Sequence, residues 1–171
     1  GDRLVIGRRE WEVITGYGHS PEHSSLWCAE AGVLIAGDMV LPRISTNVSV
    51  IDLEPEANPL PLYLASIGRM LALPAETLVL PSHGKPFRGL HTRVGQLVAH
   101  HDDRFADLMA ACAQAPQTAA SLLPVLFRRP LDLHQTTFAM GEAIAHLHAL
   151  WLRGELKREL GEDGVLRFSP A

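Results

Sequence analysis

"VITGYGHSPEHSSLWCAEAGVLIAGD", Val13–Asp38, is the stretch whose reading decides the fold. It opens with an apolar, β-branched run that stops at Gly16 and Gly18 and delivers His19. Leu26 to Ala29 then read as one arm of a hairpin, Glu30-Ala31-Gly32 as its turn, and Val33 to Ala36 as the second arm. That arm runs through Gly37 into Asp38. Further on, "TLVLPSHG" (77–84) repeats the pattern, an apolar run leading to His83 beside Gly84. Three buried-type strands thus each carry one metal-capable side chain into a loop. Strand ends on one sheet edge can converge, and glycine permits close backbone approach. A His, an Asp and a His suit zinc or another first-row divalent ion, and a carboxylate can bridge two ions.

His23 stands four residues after His19, but the pair is not a helical chelate. Pro21 lies between them and favours a turn over the continuous helix that such a chelate needs. A hydrogen bond to a ligand or to substrate is one role for His23, and packing at the start of the hairpin is the other. Lys85 follows His83-Gly84 and could hold an anionic group. Arg43, Ser45 and Asn47 fall in a polar loop after Asp38 and could touch substrate, although loop polarity alone also explains them.

Working outward, "LPRISTNVSVIDLEPEANP" (41–59) reads as a long loop. "PLYLASIGRMLALP" (61–74) has near-helical apolar spacing and ends at Pro74. From Gly89 the character changes. Leu97, Val98, His101, Phe105, Leu108, Met109 and Cys112 mark one face of a long helix closed by Pro116. Of His100 and His101, one is expected buried and one solvated. Thr118 is a candidate N-cap for a second helix. A third helix has Phe138, Ile144, Ala145, Leu147, Leu150 and Trp151 as its apolar stripe and stops at Gly154. "ELKRELGEDGVLRFS" alternates on both sides of Glu162-Asp163-Gly164, as a two-stranded wing does. The expected domains are therefore residues 1–89 and residues 90–171, the second with the element order of a winged helix.

Composition bounds the function. The chain has 171 residues, a formal net charge of -4 and 47% hydrophobic residues, enough for a real core. No apolar run is long enough to cross a bilayer. The two cysteines, Cys28 and Cys112, form no CxxC spacing, which favours a reduced, cytoplasmic setting.

"GHSPEHSSL", "LIAGD" and "LPSHG", in that order, resemble the later motifs of the metallo-β-lactamase superfamily. "GLHTRVGQLVAHHDDRF", "LFRRPL" and "GEAIAHLHAL" resemble the winged-helix tail of one branch of it. The fold this implies is α+β: the C-terminal half of an αββα sandwich followed by a helical winged-helix region. The resemblance makes His19, Asp38 and His83 metal ligands, with Asp38 bridging, and makes His23 a neighbour of the metals that is not itself a ligand; Lys85 remains a candidate contact to substrate from its position alone. It implies a zinc-dependent hydrolase that attacks an ester, thioester or phosphodiester with metal-activated water. Its substrate would be a small molecule or RNA. The family's leading HxHxDH motif is absent, since no histidine precedes His19. The chain is accordingly expected to be the C-terminal portion of a longer enzyme, inactive alone and binding zinc weakly or not at all. The uncovered half-sandwich face would favour self-association.

The alternative is a non-catalytic winged-helix module that binds a protein or nucleic acid. Residues 90–171 carry eight basic against nine acidic side chains, so there is no excess for phosphate neutralisation. The third helix has no Arg, Lys or Asn between Thr137 and Leu152 to read bases. Arg153, Lys157 and Arg158 form a small basic cluster interleaved with Glu155 and Glu159, read as a solvated face. Nucleic acid and membrane are not expected partners.

Overall fold

The computed structural model describes every residue, Gly1–Ala171. The chain divides into two compact units. The first comprises Gly1–Thr46 and Pro61–Ala99, the second Asn47–Leu60 and His100–Ala171.

The first unit is built on a five-stranded sheet: β1 (Arg3–Ile6), β2 (Arg9–Gly16), β3 (His23–Cys28), β4 (Val33–Gly37) and β5 (Leu78–Pro81), in that spatial order. β1 to β4 form an antiparallel meander, and β5 adds parallel to β4. The crossover to β5 carries α1 (Pro59–Arg69) and a short 3-10 turn, Met70–Ala72. β2 and β4 are both antiparallel to β3, so β2, β4 and β5 all end on one edge of the sheet. That direction rule is what brings residues distant in sequence to one place. The core of this unit includes Leu34, Ala36, Met39, Tyr63, Ile67 and Val79, all fully buried. Tyr63 donates to the Met39 carbonyl at 3.1 Å, and burial pushes its phenol up to about 12.

β2 departs from the buried-type strand expected. Its N-terminal residues are exposed and most of the rest only half-buried. β1, which sequence reading did not separate out, is exposed throughout, with Val5 76% exposed. Apolar alternation marks these strands, but within this unit their end of the sheet has little packed against it.

The second unit contains α2 from His100 onward (the whole helix is Leu90–Gln114), α3 (Leu123–Leu126), α4 (Leu133–Leu152) and the hairpin β6 (Leu156–Leu160) with β7 (Leu166–Pro170). Gln117 pairs with Phe168 as an isolated bridge beside β7. On α2, His101, Phe105, Leu108 and Cys112 are buried along one face. Asp132 caps α4: its side chain accepts from the Gln135 N–H while the Gln135 side chain turns back to the Asp132 N–H. None of the helices is long and apolar enough to cross a membrane.

Three expectations here are corrected. Thr118 does not cap α3; it accepts from the Ser121 N–H in a local turn, and the four-residue α3 starts after Leu122 without a side-chain cap. Phe138 is not in the buried stripe of α4 but 48% exposed, because burial begins at Ala139 and then takes in nearly every position from Gly141 to Leu150. Arg158 is not solvated. Its guanidinium lies 3.7 Å from the Trp151 ring centroid and makes a two-pronged pair with Glu56. Small residues on α4 also make room: a Cβ at Gly141 would stand 2.7 Å from Cβ of Ser49, and the Val50 N–H donates to the Gly141 carbonyl.

Candidate functional site

The shared edge of β2, β4 and β5 gathers the three strand-end residues. His19 lies in the β2–β3 connection, Asp38 directly after β4, and His83 two residues after β5. His19 Nε2 is 3.5 Å from Asp38 Oδ2, and His83 Nε2 is 3.5 Å from Asp38 Oδ1. Both separations exceed a good N–H···O hydrogen bond. Each carboxylate oxygen therefore faces a different imidazole across a gap.

Asp38 is held from several sides. The β4–β5 register shifts between Ile35 and Gly37, a local irregularity that redirects the chain as it leaves the sheet. Gly37 follows with φ +55, and a Cβ there would stand 2.5 Å from the His23 ring. Glycine thus serves both the backbone and the space beneath Asp38. The Asp38 N–H donates to His23 Nε2 at 3.2 Å. An accepting Nε2 places the proton of a neutral His23 on Nδ1, which is buried without a hydrogen-bond partner. Burial pushes the His23 imidazole below its usual value; nearby His19 adds to this and Asp38 opposes it. Thr46 Oγ1 donates to the Asp38 carbonyl, and Ser82 Oγ donates to Asp38 Oδ1.

Ser82 and Thr46 are the residues sequence reading missed. Neither has a distinctive spacing. The usable signal for Ser82 is the parallel register, since Gly37 pairs with Pro81 and the Ser82 N–H bonds back to the Gly37 carbonyl.

Lys85 does not reach into this cluster of contacts. It lines an adjoining cleft with Arg43 and His83. Arg93 stabilises the loop on that side, its guanidinium donating to the carbonyls of Leu41 and Ile44 at 2.6 and 2.9 Å. Of the other loop candidates, Ser45 belongs to this first unit while Asn47 belongs to the second.

The donor set can be tested for a metal. No group of three or more His, Cys, Asp or Glu side chains closes round a single point. The arrangement is instead two positions, each flanked by one imidazole and one oxygen of a shared carboxylate. That fits a bridging aspartate between two divalent ions. It gives each position two donors from this chain, fewer than zinc takes from a protein in a finished site.

Known proteins agree with this architecture. The family described as the metallo-beta-lactamase superfamily matches residues 1–83, and the metallo-beta-lactamase-like C-terminal domain matches residues 105–171. The chain belongs to the metallo-β-lactamase superfamily. It is similar to a beta-lactamase domain protein from Burkholderia ambifaria, with 63% identity and a TM-score of 0.98 over 100% of this chain and 50% of that one. It is similar also to a metallo-beta-lactamase family protein from Thermus thermophilus, with 32% identity and a TM-score of 0.86 over 100% of this chain and 52% of that one. A curated relative from Bacillus subtilis, "Probable metallo-hydrolase YqjP", is 26% identical over 154 residues, 85% of this chain and 46% of its own. The chain spans about half the length of these relatives.

Proposed function

We propose that this chain contributes one side of a dinuclear metal centre to a hydrolase that cleaves an ester, thioester or phosphodiester. The observation that carries the reading is Asp38, whose two oxygens face two different imidazoles. His19 and Asp38 would hold one divalent ion, His83 and Asp38 the other, with zinc the chemically natural choice for imidazole and carboxylate. Bound there, the ions would polarise the substrate and lower the pKa of water. The chain's own part is to fix the carboxylate. His23 anchors the Asp38 N–H, Thr46 its carbonyl and Ser82 its Oδ1, so the oxygen that faces each imidazole is set before any ion arrives.

With two donors per position, this chain alone binds metal weakly and turns over poorly; the complete centre needs further ligands. The helices and hairpin of the second unit are read as a winged helix used for packing, not for nucleic acid, in keeping with the eight basic and nine acidic residues of 90–171. The two buried free thiols suit a reducing, cytoplasmic setting. Metal analysis of the full-length protein tests the proposal. Near two divalent ions per chain, loss of metal in Asp38→Ala, and activity lost on chelation are expected. No bound metal and no effect of a chelator would overturn it.

A further inference from the structure

Beside His83 the first unit has an open cleft of about 650 Å3 whose lining includes Pro42, Arg43, Ile44, His83, Lys85 and Phe87. Two cations and several apolar surfaces meet there, and no acidic residue lines it. Neither Arg43 nor Lys85 belongs to a salt bridge. Ile44 is 61% exposed in the same wall. Unneutralised cations beside uncovered apolar surface describe a receptor for a ligand with both characters.

The cleft is built rather than incidental. Its two walls are separate loops, residues 42–44 and 83–87, and the packing of Gly84 on Pro42 joins them. Gly84 has φ +88, and a Cβ there would stand 2.7 Å from Pro42 Cγ. The Lys85 loop is closed at its base by two backbone hydrogen bonds between Val79 and Phe87. The Arg43 loop is clamped by Arg93, which binds the carbonyls on either side of it, Leu41 and Ile44. Both cations therefore project from fixed backbone, which lowers the entropy cost of engaging a ligand.

We propose that this cleft is the substrate subsite for an anionic oxygen group carried on an apolar chain, with Arg43 and Lys85 holding the anion and Ile44 and Phe87 the chain. Its role as a substrate subsite rests on the hydrolase reading, because His83 forms the common wall. The substrate class that follows is an ester or thioester bearing a carboxylate or phosphate on a short aliphatic segment.

The test is a titration of the metal-free chain with three probes: monohexyl succinate, hexyl phosphate and the neutral hexyl methyl succinate. Backbone amide shifts follow where each binds. At least one anion should move the amides of Ile44, Gly84 and Lys85 and bind about tenfold tighter than the neutral diester. The tighter of the two anions identifies the headgroup as carboxylate or phosphate. Arg43→Ala and Lys85→Ala should each weaken that anion about fivefold or more, and Lys85→Arg should retain it. Equal affinity for all three probes, no binding by any, or anion binding indifferent to both alanine variants would overturn the subsite. The titration is free of metal and leaves Asp38 intact, so its failure is separate from failure of the metal analysis.

Discussion

Two pairs of histidines, one in each unit, are treated in opposite ways. In the first, His19 and His83 stand at strand ends on either side of a carboxylate, and His83 is 69% exposed. In the second, His101 and His146 are fully buried, with each other and a backbone carbonyl as partners. The His146 Nδ1–H donates to the Glu142 carbonyl at 2.8 Å, since a carbonyl only accepts. Its Nε2 must then accept, so His101 Nδ1–H donates to it at 3.0 Å. Burial pushes His101 down to about 3 and His146 to about 4, so both are neutral packing groups. Nine histidines in the chain therefore do not mean nine candidate ligands. A carboxylate on an accessible edge separates one kind from the other.

The largest break in this contrast should come from His146→Ala. It opens a cavity beside Phe105 and removes the acceptor of the His101 proton. A loss of about 2–4 kcal/mol in urea unfolding is expected. A loss below about 1 kcal/mol would show that the pair is not part of the core.

Acid should destabilise the protein through the same pair. Unfolded histidine takes a proton near pH 6.5, whereas the folded pair refuses it down to about 4 and 3. Their stabilising contribution is thus present above pH 6.5 and drains away as pH falls toward 4. Glu142 acts in the other direction, because burial pushes its carboxyl up to about 7, with Arg104 opposing. Its contribution is complete below pH 4.5 and is lost as pH rises through 7. Glu142→Gln removes this opposing slope, so the urea midpoint should fall more steeply between pH 6.5 and 4.5 than in the parent. Parallel slopes would contradict the assignment.

Gly37→Ala sharpens the other side of the comparison. A side chain at φ +55, 2.5 Å from the His23 ring, should cost about 1–3 kcal/mol and break the bond from the Asp38 N–H. The Asp38 amide resonance should move accordingly, and an unmoved resonance would show that His23 does not hold it. The smallest effect is expected at His83→Ala, whose ring is mostly solvent-exposed. Stability should stay within about 0.5 kcal/mol of the parent while metal occupancy of the full-length protein falls. A large stability loss would make His83 a structural residue.

The strand ends that carry His19, Asp38 and His83 were legible because each follows an apolar run and adjoins a glycine, Gly18 and Gly37 before the first two and Gly84 after the third. The hairpin was legible for a similar reason, with its arms paired Cys28 to Val33 and Leu26 to Ile35. Ser82 and Thr46 were not: the Ser82 hydroxyl bonds across more than forty residues, and Thr46 reaches back eight residues within an irregular loop, so neither leaves a local period. Arg93 was hidden in the same way: it sits on a helix face, and its partners Leu41 and Ile44 are loop carbonyls. Exposure of Phe138 was illegible because helical periodicity gives the face of a residue but not where the neighbouring packing begins. The reach of Arg158 to Trp151 and Glu56 depends on tertiary placement that charge alternation in 153–159 conceals.

Asn47–Leu60 packs with the second unit although the chain on both sides of it belongs to the first. The crossover from β4 to β5 therefore contributes a segment to the second unit, so neither unit is one continuous stretch of chain. No single proteolytic cut releases either one intact. Formation of the parallel β4–β5 pair, and with it the meeting of Asp38 and His83, also has to wait for a long loop to close, which makes that meeting a late product of folding. Recovery of the native Asp38 and His83 amide resonances after dilution from denaturant would then serve as a clock for the last stage of assembly, slower than recovery of helical signal.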